Sequence, residues 1–232
     1  MKNKIEECTN LVELLSLWQS KYQDKVFVKD GIVNPDKWAT QEVRPLFFLK
    51  EAYNGTESWN LINDYLLVDT GETIDNTWKK VTQWTYGILN TTETDAPSFD
   101  ENYIPKKFAN NYLQSIAVVN VKKVAGKSTS VLSELKEAVA NDKDLLKKEI
   151  ELINPTVIVC GYTINFLEKI FDRKIKKRKN KNLYYFTEIN GKTVIIIDYY
   201  HPGNQYPDIM NYYAITNIYK LALQELKERE IK

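Results

Sequence analysis

Four short apolar runs, at residues 45–49, 116–121, 156–160 and 193–199, restrict what this chain can become more than any other feature. The first reads Pro-Leu-Phe-Phe-Leu; the others are rich in β-branched residues such as Val118, Val119, Ile158 and Ile195. A run of roughly four to eight apolar residues, bounded by polar or Gly-containing loops, suits a strand buried on both faces. Helical periodicities lie around these runs. Leu11, Leu14, Leu15, Trp18 and Tyr22 share one face of a first helix over residues 5–22, and Tyr212, Ile215, Tyr219, Ala222 and Leu226 mark a long last one. Residues 130–153 repeat apolar positions with a break near Asn141-Asp142, which predicts two helices in succession, and residues 163–171 predict another. Strands alternating with helices imply an α/β fold of three layers, α/β/α, with a four-stranded, mainly parallel central sheet.

Two segments interrupt the alternation. Ile189-Asn190-Gly191 separates strand-like runs at 182–188 and 192–199, and Asn-Gly is a strong hairpin signal, so an antiparallel strand is expected beside the sheet. Residues 26–40, with Asp30-Gly31 and Asn34-Pro35, read as turns, and residues 55–112 as a helical insertion. In that insertion Trp59, Trp78 and Trp84 serve either as packing material or, singly, as a stacking surface for a ligand.

At 232 residues, with 27% charged and 43% hydrophobic residues, the composition excludes disordered and fibrous classes and suits one domain over residues 1–232. No apolar run is long enough to cross a bilayer, and Met1-Lys2-Asn3-Lys4 leads into acidic Glu6-Glu7 instead of an apolar signal core. A cytoplasmic, monomeric protein without membrane contact is expected. Cys8 and Cys160 are far apart and the chain has 1 histidine, so neither a disulfide framework nor a zinc or iron–sulfur centre is expected, and no metal or cofactor is assigned. A formal net charge of +1 means that nucleic-acid binding must rest on local patches, of which residues 173–181 are the densest basic block and a plausible phosphate contact.

In an open parallel sheet, ligands gather at the carboxyl ends of the strands. The four loops there carry Lys50-Glu51-Ala52-Tyr53-Asn54, then Asn120-Val121-Lys122-Lys123, then Gly161-Tyr162-Thr163, then His201-Pro202-Gly203-Asn204. A carboxylate, an amide and the chain's histidine thus meet one sheet edge. Each also has a plain structural reading: Glu51 as a solvated partner of Lys50, Asn120 as a turn cap, His201 as a loop residue with a satisfied ring.

Taken in order, these motifs resemble the uracil-DNA glycosylase superfamily. Glu51-Ala52 is similar to the Glu-Ala of that family's Gly-Glu-Ala-Pro-Gly loop, Asn120 to the Asn that ends its second strand, and His201-Pro202-Gly203 to its His-Pro-Gly loop. Lys50 and Tyr53 stand where the family usually has Gly and Pro, and cluster-binding cysteines are absent. The resemblance implies a DNA glycosylase acting on uracil or another modified or deaminated base flipped out of DNA. Breaking the N-glycosidic bond needs an anion near the sugar and donors near the base oxygen. Glu51 would supply the anion or hold the attacking water, and His201 would donate to the base. Asn120 would read the base edge, with Ala52, Tyr53 and Asn54 beside it. Lys122, Lys123, Lys127, Pro202 and Gly203 would grip DNA, and Tyr206 is the candidate wedge into the vacated stack. The alternative function is a catalytically inactive protein of the same fold that binds nucleic acid, a nucleotide or a protein partner. Hydrolysis of a free nucleoside or nucleotide is a third.

Overall fold

The structure, a computed structural model, describes residues 2–53, 55–68, 75–100, 112–127, 129–176 and 183–230. In chain order its elements are α1 (Lys2–Glu7), α2 (Leu11–Lys21), β1 (Val28–Lys29), β2 (Gly31–Ile32), α3 (Pro35–Thr40), β3 (Pro45–Tyr53), β4 (Trp59–Asn60), α4 (Asn76–Asn90), β5 (Ala117–Gly126), α5 (Leu132–Ile153), β6 (Val157–Gly161), α6 (Ile164–Ile170), β7 (Tyr184–Ile189), β8 (Lys192–Tyr199) and α7 (Asp208–Glu230).

The four apolar runs become β3, β5, β6 and β8, mutually parallel in the spatial order β5-β3-β6-β8. The sheet nevertheless has six strands where four were expected, because antiparallel β2 and β7 add an edge on either side. Strand β7 is the one announced by Asn190-Gly191, whose φ values of 51° and 71° are those of a tight hairpin turn. Strand β2 lies in the stretch expected to be turns, which also contains α3, capped by Asn34 with Pro35 in its first turn. Of the insertion at 55–112, the described residues hold β4, which pairs with β1, one wide turn (Ile62–Leu66) and the 15-residue α4.

Alternation along the strands sends Leu46, Phe48, Val119, Ile158 and Ile196 to one face, where α2, α5 and α6 cover them with Leu14, Trp18, Leu146, Ile150 and Leu167. Phe47, Val118, Val159 and Ile197 face the other way, onto Trp84 and Ile88 of α4 and Ile215 and Tyr219 of α7. Burial at about 1.5–3 kcal/mol for each large apolar side chain makes this two-sided core the main source of stability. The protein is therefore a mixed α/β structure with a mostly parallel sheet clothed by helices. Helices α4 and α7 approach closely at Gly87, where a methyl would overlap Thr216.

Two helix expectations need correction. The first helix is split, because Asn10 caps α2 by accepting from the Glu13 N–H at 3.0 Å while the Glu13 carboxylate accepts from the Thr9 N–H at 2.8 Å. Conversely, residues 132–153 form one unbroken 22-residue helix through Asn141-Asp142. Asp142 is buried there and accepts from Lys21 Nζ at 2.6 Å and Tyr22 Oη at 2.7 Å, so tertiary bonds override its weak helix preference. Among the described residues no helix is long and apolar enough to cross a membrane.

Candidate functional site

The chain lays down β3, then β5 on one side of it, then β6 on the other, so the strand order reverses between β3 and β6. The crevice outside the carboxyl ends of such a pair is where α/β sheets take ligands. Here it is framed by Lys50 on β3 and by Gly161 and Tyr162 on β6. Thr163 Oγ1 donates to the Phe48 carbonyl at 2.5 Å and ties the two strand ends together. A side chain at Gly161 would meet Leu49 Cδ2 at 3.0 Å and His201 Cα at 3.3 Å, so the glycine is what admits the His201 loop.

That loop is built with unusual thoroughness. The Asn204 side-chain amide and backbone N–H both donate to the His201 carbonyl, at 2.8 and 2.9 Å. Fully buried Asn211, on α7, donates to Asn204 Oδ1, the Tyr206 carbonyl and the Pro207 carbonyl at 3.1, 3.0 and 3.2 Å. Lys80 Nζ donates to the Asn204 carbonyl. Pro202 is buried and Gly203 exposed, and the Gly203 N–H donates to His201 Nδ1 at 3.0 Å. An Nδ1 that accepts leaves the proton of the neutral ring on Nε2, which has no protein partner among the described residues. Burial, then the nearby Lys50 charge, hold the His201 pKa down to about 4, so the ring is a neutral Nε2–H donor at neutral pH.

Glu51 takes a different course. Its register partner across β3 and β5 is Lys122, whose Nζ lies 2.8 Å from Glu51 Oε2 but off a good hydrogen-bonding direction. The Glu51 side chain is 3% exposed and packs against Gly126, where a methyl would overlap its carboxylate. Lys122 also pairs with Glu134 of α5 at 2.6 Å. Burial works against the Lys122 charge, but Glu134 and Glu51 outweigh it and its pKa rises. Among the described residues no hydrogen bond or ion pair joins Glu51 to His201. Glu51 turns toward β5 while His201 leans on β6, and β5 and β6 flank β3 at about 10 Å from one another.

The remaining expected site residues disperse. Asn120 is buried, and its backbone N–H and side-chain amide both donate to Asp30 Oδ2, at 2.8 and 3.0 Å, so the amide is held by Asp30. Lys123 has no route to DNA: its side chain is 0% exposed, clamped between Asp30 and Glu149 and lying 5.1 Å from the Trp18 ring. Lys127 is exposed and Ala52 half-buried against the α4/α7 layer. Tyr53 ends β3, with its side chain outside the described part, and Asn54 lies outside the described residues. Tyr206 is half-exposed and rests on Tyr200, ring centroids 5.0 Å apart. Of the basic block, Arg173 donates to the Glu188 carbonyl at 3.2 Å and Lys176 pairs with Asp198 at 2.6 Å, while residues 177–182 lie outside the description. The described residues contain no group of three or more His, Cys, Asp or Glu able to hold a metal.

The structure thus brings together His201, Lys50, Tyr162 and Tyr200, of which only His201 was expected to act. The loop Gly161-Tyr162-Thr163 was visible as a strand end, yet nothing in its spacing marks the tyrosine. Asp30, which immobilises both Asn120 and Lys123, is separated from them by about ninety residues and carries no local signal. The class these features define is a mainly parallel α/β protein with a switch-point crevice holding a fixed neutral imidazole and exposed aromatic rings. No protein-family model matches the chain, and neither does any curated protein.

Proposed function

We propose that this protein recognises an oxo-substituted nucleobase in nucleic acid with the architecture of a uracil-DNA glycosylase, and that it binds the base without cleaving it. The observation that carries the reading is the contrast between two groups. His201 is held as a neutral Nε2–H donor in the crevice, the form that suits a base oxygen, while Glu51 is closed off with Lys122. Support for the architecture comes from the order of the motifs, since Glu51, Asn120, Gly161 and His201 stand on or just after four successive parallel strands. A binding protein needs the donor and the aromatic surroundings; hydrolysis needs in addition an accessible anion.

The test uses oligoadenylate strands carrying one central uracil, hypoxanthine or adenine, the last of which has no oxo group, with binding read by fluorescence anisotropy and base loss by alkaline cleavage. The expected result is base-dependent binding without abasic product, and a loss of about fivefold to tenfold of that preference in His201→Ala, the worth of one hydrogen bond. Equal affinity for every base overturns the reading. A second reading, DNA glycosylase activity, is favoured by the same neutral His201, because a departing base requires such a donor. It demands that bound DNA draw Lys122 away from Glu51, and abasic product that disappears in Glu51→Gln would establish it in place of the first.

A further inference from the structure

Three tyrosines, of which only Tyr206 was an expected site residue, form a ladder at the mouth of the crevice. Tyr200 is its middle rung, 5.1 Å from Tyr162 and 5.0 Å from Tyr206 between ring centroids, with both neighbours set edge to face. Behind it Tyr199 packs on Tyr200 at 5.2 Å and on buried Trp84 at 5.6 Å, so the ladder is founded in the core. The two outer rungs are open: Tyr162 is 56% and Tyr206 50% exposed. Tyr162 also has a φ of 63°, a left-handed conformation that costs a non-glycine residue about 1 kcal/mol or more. Its backbone is held there by donation of its N–H to the Cys160 and Tyr199 carbonyls, both at 3.0 Å. Tyr162 is thus an exposed aromatic residue in a strained position, its ring set against Tyr200 with the Lys50 ammonium 5.8 Å from its centre.

We infer that the ladder is a stacking platform for single-stranded nucleic acid, which delivers its base to the His201 crevice from a strand that is already unpaired. The inference rests on the base-recognition reading and adds the form of the substrate. Open aromatic faces stack on unpaired bases irrespective of sequence, whereas bases in a duplex offer no free face. The cations point the same way. Either form needs free lysines or arginines along its phosphates, but a duplex, with about twice the charge per unit length of a single strand, takes more of them. At these strand ends Lys122 is shared by two carboxylates, Lys123 is buried, and Lys79 and Lys80 face Asp208 at 2.7 and 3.8 Å. Lys50 and Lys127 are left without an ion pair among the described residues. Tyr206, expected to act as a wedge between stacked base pairs, instead leans on Tyr200 and adds to the platform.

The experiment measures anisotropy of the 232-residue chain with labelled single-stranded DNA, single-stranded RNA and duplex DNA of one mixed sequence. The platform predicts that at least one of the single strands binds at least tenfold more tightly than the duplex, and the two single-strand arms show which sugar is preferred. Tyr162→Ala and Tyr206→Ala should each weaken single-strand binding about tenfold, with Tyr162→Phe retaining it. Tyr162→Gly relieves the left-handed backbone, so it should raise Tm while still losing affinity, which separates a binding role from a structural one. Duplex binding as tight as that of both strands, or alanine variants with wild-type affinity, overturns the platform. Calorimetry with uridine monophosphate distinguishes the two levels: binding of the free nucleotide that depends on His201, without strand binding, leaves base recognition standing and removes the platform. Strand binding that is sensitive to the tyrosines but indifferent to base and to His201 does the reverse.

Discussion

Replacing Lys123 by Met tests whether that lysine belongs to the fold or to a DNA-binding edge. Its ammonium lies between Asp30 and Glu149, all three side chains being 0% exposed. Removing one partner from a buried ionic group typically costs about 3–5 kcal/mol, because the others stay buried without compensation. Two features argue for the lower end. Asp30 keeps its two bonds from Asn120, and burial, opposed by Lys123 but assisted by Asp30, already holds the Glu149 carboxyl well above the ordinary range, so it sheds its charge readily. A loss of about 3 kcal/mol, near 2–4 °C of Tm per kcal/mol for a chain of this size, predicts a fall of roughly 6–12 °C. Urea unfolding followed by circular dichroism gives the free energy directly. A loss below about 1 kcal/mol, the size of an ordinary surface substitution, would refute the buried-triad argument and return Lys123 to the list of possible phosphate contacts. The same geometry sets a pH trend. A carboxyl whose folded pKa is raised stabilises the fold fully below its unfolded value, near 4.5, and that contribution is lost as pH rises through the folded value. Glu149→Gln should remove that part of the slope.

Three further outcomes follow from the site. His201 is depressed from 6.5 to about 4, so the folded protein binds its proton less readily than the unfolded chain, and stability should fall as pH drops from 6.5 toward 4; thermal melts of His201→Gln should lack that component. Asn211→Ala removes three donations from a fully buried amide and should cost about 1–3 kcal/mol, with hydrogen exchange at residues 204–206 accelerating well before the sheet is affected; unchanged exchange there would contradict the pinning of the loop. Gly161→Ala places a methyl 3.0 Å from Leu49 and 3.3 Å from the His201 backbone, and overpacking of about 1–3 kcal/mol should accompany weakened nucleic-acid binding.

Much of the fold was legible because the signals are local. Continuous apolar runs declare the inner strands, and Asn190-Gly191 declares its hairpin through the φ > 0 that both residues adopt. What escaped notice depends on partners far along the chain. Gly31-Ile32 looks like a turn, yet it pairs with Ala117-Val118 as an edge strand. Asn141-Asp142 resembles a helix break until Lys21 and Tyr22 arrive to occupy the Asp142 carboxylate. Asn10, by contrast, was a readable cap: the Asn-x-x-Glu spacing that splits the first helix is present in the sequence and lies under an otherwise continuous apolar face.

The site was legible to the level of strand ends and no further, because register decides the rest. His201 could be placed by its loop alone. The fate of Glu51 depends on which residue β5 sets opposite it, and that residue is Lys122, itself expected to hold a phosphate. The two expected roles exclude one another as long as the pair is closed, since each group consumes the charge the other would offer to DNA. Deleting the lysine does not release the carboxylate for catalysis: it leaves a 3%-exposed acid packed on Gly126 without its cation. An accessible anion at Glu51 therefore requires a phosphate that outbids both Glu51 and Glu134 for Lys122 while water enters beside Gly126. Hydrolysis, if it occurs, must be coupled to that displacement and so be steeply salt-dependent, whereas stacking on Tyr162 and Tyr206 with His201 donating to a base requires no such opening.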